Sequence, residues 1–107
     1  MKILIAGSGG FVGRNLFAKL KRNHEVFGVS KNPGDSVTDA ADVSEPEIFK
    51  ILERTNPDIV IHCIKLPASI DYYESHKEEA RKTDIQSVEN LVKWVRENNK
   101  KMRTAYL

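Results

Sequence analysis

The opening of this chain constrains its fold more than any other stretch. Lys2-Ile-Leu-Ile-Ala6 is a short apolar run that feeds directly into Gly7, Gly10 and Gly13, with Gly9 between them. Phe11, Val12, Leu16, Phe17 and Leu20 then recur at helical spacing. A buried strand must therefore stop, turn tightly and hand over to a helix. Gly7 allows the turn, Gly10 removes a Cβ at its mouth, and Gly13 lets the helix pack close to the strand. A helix starting there points free N–H groups and the positive end of its dipole at whatever occupies the turn. In this setting the G-x-x-G-x-x-G spacing predicts a dinucleotide pyrophosphate held by the backbone of Gly7, Gly9, Gly10, Phe11, Val12 and Gly13. The plainer alternative is a tight strand–helix turn with no ligand.

The remaining chain continues the alternation. His24 to Val29 reads as a second strand, and Lys31-Asn-Pro-Gly-Asp-Ser36 as a turn-rich loop. Asp42-Val43 reads as a very short third strand. Ser44-Glu-Pro-Glu47 matches a capping box, with Ser44 at the N-cap and Glu47 three residues on. Ile48, Ile51 and Leu52 form the core face of the helix that follows, and Asn56-Pro57 ends it. Asp58-Ile-Val-Ile-His-Cys-Ile64 is nearly all apolar, as in a parallel strand buried on both faces. Leu66 to Ser75 reads as a loop.

A long helix is expected from about His76 to about Asn98, with Ala80, Ile85, Val88, Leu91, Val92 and Val95 as its buried stripe. Trp94 falls off that stripe, on a helix flank or an interface. From Lys100 the tail either begins a fifth strand or frays. The alternation predicts an α/β, Rossmann-type three-layer sandwich with a parallel sheet of order 3-2-1-4. The ligand crevice is expected at the C-terminal ends of the first and fourth strands, where the order reverses.

A length of 107 residues allows one small domain, and 40% hydrophobic residues suit a globular one. Lys and Arg number 17 against 15 Asp and Glu, a net charge of +2 that points to no nucleic-acid partner. No apolar run approaches the roughly 20 residues of a membrane span. Met1 leads straight into a strand, so no signal or transit segment is expected. Cys63 is the single cysteine, which excludes an intrachain disulfide and a cysteine-based zinc site. These features favour a reducing, cytoplasmic setting.

Four stretches together resemble the N-terminal cofactor half of the extended short-chain dehydrogenase/reductases. They are similar above all to NAD(P)-dependent sugar-nucleotide epimerases and dehydratases and to dTDP-4-dehydrorhamnose reductases. The stretches are Met1 to Leu16, Asp42-Val43-Ser44, Asn56 to Cys63, and the run of Asp71, Tyr72, Glu74, Glu78-Glu-Ala80 and Asn90-Leu91. The resemblance implies that Asp42 and Val43 hold the adenine. It also implies that Cys63, Ile64 and Lys65 line the nicotinamide side. The chemistry it implies is hydride transfer at a sugar carbon bearing a hydroxyl or keto group. Asp84 stands where such proteins carry an asparagine. Their catalytic Ser/Thr and Tyr-x-x-x-Lys follow the fifth strand, about where this chain reaches Leu107, so a single domain truncated before the catalytic and substrate-binding parts is expected.

Cofactor choice rests on the end of the second strand. NAD-binding domains place an acid there for the ribose 2′-hydroxyl. Here Ser30-Lys31 occupies the position, a hydroxyl and a cation that lean toward the 2′-phosphate of NADP over NAD, with Arg14 as a possible helper. Tyr73-Glu-Ser-His-Lys77 is a Tyr-x-x-x-Lys match in the wrong place, and reads as coincidence. His62 reads as a core histidine, and Cys63 as a small buried residue. Asp71 and Glu74 lack any histidine pattern that would make a metal site. The rival class is a non-enzymatic dinucleotide sensor, or a fragment that forms a homodimer across an exposed sheet edge.

Overall fold

The computed structural model describes residues 1–63 and 77–104, with side chains from 85 to 103 in the second segment. The elements run β1 (Lys2–Ala6), α1 (Phe11–Leu20), β2 (Glu25–Ser30), β3 (Asp39–Ala40), α2 (Glu47–Thr55), β4 (Ile59–His62), α3 (Lys77–Glu97) and β5 (Lys101–Thr104). The five strands form one parallel sheet of order 3-2-1-4-5. This is the expected order, with the tail pairing as a fifth strand through Ile59↔Lys101 to His62↔Thr104. β1 is central. Its Ile3 to Ala6 pair with β2 on one side and with β4 on the other.

Alternation along β1 divides the core. Leu4 and Ala6 face one side, where they join Val29, Val60, Ile48, Leu52, Leu91, Trp94 and Val95 beneath α2 and α3. Ile3 and Ile5 face the other side, against Phe17 of α1, with Leu16, Leu20, Val26, Ile59, Ile61 and Cys63 partly buried around them. β4 was expected to be buried on both faces. Val60 and His62 are buried, whereas Ile59 and Ile61 are only half-buried, because α1 crosses this face over β1 and β2.

Helix boundaries follow local chemistry. α1 ends at Leu20, where Lys21 N–H reaches back to the Phe17 carbonyl at 3.0 Å. α2 ends at Asn56, which adopts a left-handed backbone (φ 45°) and donates to the Leu52 carbonyl at 2.8 Å. The N-terminus of α2 differs from the expected capping box. Asp42 takes the Ser44 N–H at 2.9 Å and its hydroxyl at 2.6 Å, so the Ser44 side chain is turned away from the helix. The helix starts three residues later, with Pro46 at its N-cap position and no capping side chain. β3 also falls earlier than Asp42-Val43. Asp39 and Ala40 pair with Val29 and Ser30, which leaves Asp42 and Val43 beyond the strand.

The buried face of α3 is rotated from the expected stripe. Ile85 and Val88 are 48% and 37% exposed, whereas Trp94 is 2% exposed and sits in the core with Leu91 and Val95. Ser87 and Asn90 are buried beside them. Asn90 satisfies its amide on the Val43 carbonyl at 2.8 Å, and the Trp94 indole N–H donates to Glu53 at 3.0 Å. Two polar anchors onto the α2 side set this rotation, and an apolar-periodicity count does not register them. No helix among the described residues is long and apolar enough to cross a membrane.

Candidate functional site

The site grows from the C-terminal ends of the strands. β1 stops because Gly7 turns with φ 90°, a backbone state costly for residues with a side chain. The Gly7 N–H still donates to the Val29 carbonyl at 2.7 Å, so the turn remains anchored to β2. Gly10 N–H closes the turn on the Gly7 carbonyl at 3.2 Å, and α1 begins at Phe11. A Cβ on Gly13 would stand 2.1 Å from the Gly7 carbonyl oxygen, so helix and turn touch backbone to backbone there.

Gly10 differs. Among the described residues, chain neighbours aside, a Cβ there would meet nothing nearer than the Gly7 oxygen at 3.6 Å. The fold itself therefore does not demand glycine at this position. α1 also has no capping side chain and no acid in its first turn. Its first N–H groups and positive dipole end open into the mouth of the turn, an arrangement suited to an anion. Phe11, counted with the apolar helix positions from sequence, is 63% exposed at this mouth. The Arg14 guanidinium lies 5.7 Å from the centre of its ring.

Beside the turn lies the end of β2. A Cβ on Gly9 would come within 2.7 Å of Ser30 Oγ, so Ser30 packs directly on the glycine turn. Lys31 is exposed, and its ammonium lies 3.7 Å from Asp42 Oδ2. The pair links the end of β2 to the segment after β3. Val43, next to Asp42, is buried in the core. At the other side of the turn, Cys63 follows β4, and its N–H donates to the Ala6 carbonyl at 2.7 Å. Partial burial pushes its thiol pKa up, so it is a poor nucleophile at neutral pH. Gly7 and Cys63 thus flank the point between β1 and β4 where the strand order reverses. Ile64 and Lys65 lie outside the described residues, as do Asp71, Tyr73 and Glu74.

Sequence reasoning missed three residues that shape this site. Gly28, inside β2, has no room for a Cβ, which would stand 2.1 Å from the Ser36 carbonyl oxygen and 2.5 Å from Ser8 Oγ. Thr38 clasps Gly28, accepting its N–H and donating to its carbonyl, each at 3.0 Å. Ser36 donates to the Ser8 carbonyl at 2.7 Å. The loop after β2 is thereby stapled onto the glycine turn. An isolated glycine within a strand signals such close backbone approach, and Gly28 offered that signal.

A parallel sheet of order 3-2-1-4-5, with a glycine turn and uncapped helix at its switch point, defines a Rossmann-type fold. Residues 3–107 match the NAD dependent epimerase/dehydratase family, and the chain belongs to that family. It is 39% identical over 69 residues to a GDP-6-deoxy-D-talose 4-dehydrogenase of Aggregatibacter actinomycetemcomitans, a match covering 62% of this chain and 21% of the relative. A hypothetical dTDP-4-dehydrorhamnose reductase from Sulfolobus tokodaii superposes with TM-score 0.85 at 24% identity, over 97% of this chain and 38% of that one. An L-threonine dehydrogenase from Phytophthora infestans gives TM-score 0.84 at 16% identity, over 97% and 35%. The last two likenesses establish fold alone. The chain spans about a fifth of the length of the curated relative it matches.

Proposed function

We propose that this chain is a dinucleotide-binding module for hydride chemistry on a sugar nucleotide. In this reading the N–H groups from Phe11 to Gly13 receive the pyrophosphate, with Gly7, Gly9 and Gly10 shaping the turn. Asp42 and Val43 flank the adenine, Ser30 and Lys31 face the ribose 2′ position, and Cys63, Ile64 and Lys65 line the nicotinamide side. The cofactor is NAD or NADP. The Ser30-Lys31 pair, with no acid at the end of β2, favours NADP. When bound, the nicotinamide supplies or accepts the hydride. This chain's part is to bind and orient the cofactor. The Ser/Thr and Tyr-x-x-x-Lys set is expected outside these residues, so the chain alone gives no turnover.

The observation that carries the reading is Gly10. Packing does not explain its missing side chain, and an uncapped helix start lies beside it. Self-association across a sheet edge is the second reading. Lys101 and Arg103 are exposed on β5, and symmetric pairing there would bring like charges together, which favours the module.

Gly10→Ala tests the proposal. The backbone there (φ −79°, ψ 174°) suits alanine, and the cost to the fold is about 1 kcal/mol or less. Calorimetric titration with NADH and NADPH is expected to show at least about tenfold weaker binding of both, about 1.4 kcal/mol. Equal binding by wild type and variant would overturn the assignment of the pyrophosphate to this turn.

A further inference from the structure

In the dinucleotide reading the Lys31–Asp42 pair lies on the adenosine side, a partly exposed ion pair whose carboxylate is held in place by its neighbours. Asp42 Oδ1 accepts both the Ser44 N–H at 2.9 Å and the Ser44 hydroxyl at 2.6 Å. Ser44 is itself buried. These two bonds fix the carboxylate plane and leave Oδ2 turned toward the Lys31 ammonium at 3.7 Å. The lysine stem starts from the residue after β2, and Ser30 before it is packed on Gly9. Both ends of the pair are therefore held by backbone-anchored neighbours, while the charged groups stay partly exposed, at 52% and 33%.

A carboxylate in that place acts on a ligand phosphate in two ways, both unfavourable. It repels a second negative charge at the ribose 2′ position, and it occupies the cation that would otherwise receive that charge. We infer that Asp42 is a specificity-determining residue that restrains discrimination between the two cofactors, by competing with a ribose 2′-phosphate for Lys31. This rests on the dinucleotide reading above and adds to it a counterweight. Lys31 leans the site toward the 2′-phosphate, and Asp42 holds that lean in check. The site then accepts both cofactors with a modest difference between them. Specificity here is a difference of two affinities, so a residue that penalises one ligand acts as strongly as one that attracts it.

Asp42→Asn separates charge from shape. The asparagine Oδ1 can still accept from Ser44, so the side chain keeps its place, but the negative charge is gone. The measurement is the ratio of NADH to NADPH dissociation constants, by calorimetry on the full chain at low and at physiological salt. Any loss of adenine contact weakens both cofactors alike and cancels in the ratio. The expected result is a rise of about threefold or more in preference for NADPH at low salt, shrinking as salt screens the phosphate. Made in a Lys31→Ala background, Asp42→Asn is expected to give a clearly smaller rise, what remains being the direct repulsion. An unchanged ratio in Asp42→Asn, or a rise equally large in the Lys31→Ala background, overturns the competition while leaving the dinucleotide reading standing. Binding of neither cofactor by folded wild-type chain overturns that reading and the competition together.

Discussion

The two faces of the sheet are built to different standards of closure. On one face α2 and α3 bury Leu4, Ala6, Val29 and Val60 under Ile48, Leu52, Leu91 and Trp94. On the other, α1 covers Ile3 and Ile5 with Phe17, and Ile59, Ile61 and Cys63 remain only half-buried. The closed face carries side-chain packing of the kind that dominates stability. The open face carries backbone contact, in which Gly13 meets Gly7 and the turn is pulled onto β2. The lesson is a division of labour. One face holds the domain together, and the other holds a turn in place at the sheet's switch point.

The sharpest way to break this comparison is to remove Trp94. Trp94→Ala empties the largest fully buried side chain among the described residues and leaves Glu53 without its indole partner. It is expected to destabilise the domain by about 3–5 kcal/mol in denaturant unfolding. Gly13→Ala comes next, because its Cβ would meet backbone that cannot swing aside. An expected cost of about 1–3 kcal/mol, accompanied by loss of cofactor binding, marks the backbone-built face. Ile61→Ala, on the half-open face, is expected to cost only about 1 kcal/mol by the same unfolding measurement. A value for Ile61→Ala as large as that for Trp94→Ala would erase the distinction between the faces.

The smallest effect is electrostatic. The Asp58 carboxylate accepts the Lys2 N–H at 2.8 Å and has Lys100 at 3.9 Å, at the entry to β1. The Lys2 hydrogen bond, with help from the Lys100 charge, lowers its pKa below the ordinary carboxylate value. A depressed carboxylate contributes stability that is present above its unfolded pKa and is lost as pH falls through its folded one. The thermal midpoints of wild type and Asp58→Asn are therefore expected to differ slightly near neutral pH and to converge as the pH falls through the lowered folded-state pKa. A gap that widens on acidification would contradict the assignment.

How far the sequence spoke depended on how local each decision was. The β1–turn–α1 unit was legible because glycine spacing, apolar run and helical period all lie within a short stretch. The sheet order followed from strand–helix alternation and crossover rules. The rotation of α3 was not legible, because two of its buried positions are Ser87 and Asn90. Asn90 is held inward by the carbonyl of Val43, a residue 47 positions away. The start of α2 was misread for a related reason. Asp42 holds Ser44 by both its N–H and its hydroxyl, which turns the side chain away from the helix, and that orientation cannot be ranked against a cap from the sequence alone. At the candidate site, Ser30, Lys31 and Asp42 could each be named singly from the sequence. The Lys31–Asp42 pairing, and the staple from Ser36 to Ser8, needed the fold to bring their segments together.

The central claim is that the uncapped start of α1 is an anion site for a dinucleotide. The most direct test is a two-dimensional amide NMR titration of the 12.1 kDa chain with NADPH and NADH. The account predicts saturable shifts at the amides of Gly10, Phe11, Val12 and Gly13, with smaller ones at Ser30, Lys31 and Asp42. A well-dispersed spectrum whose glycine-turn amides stay unmoved at millimolar cofactor would contradict it.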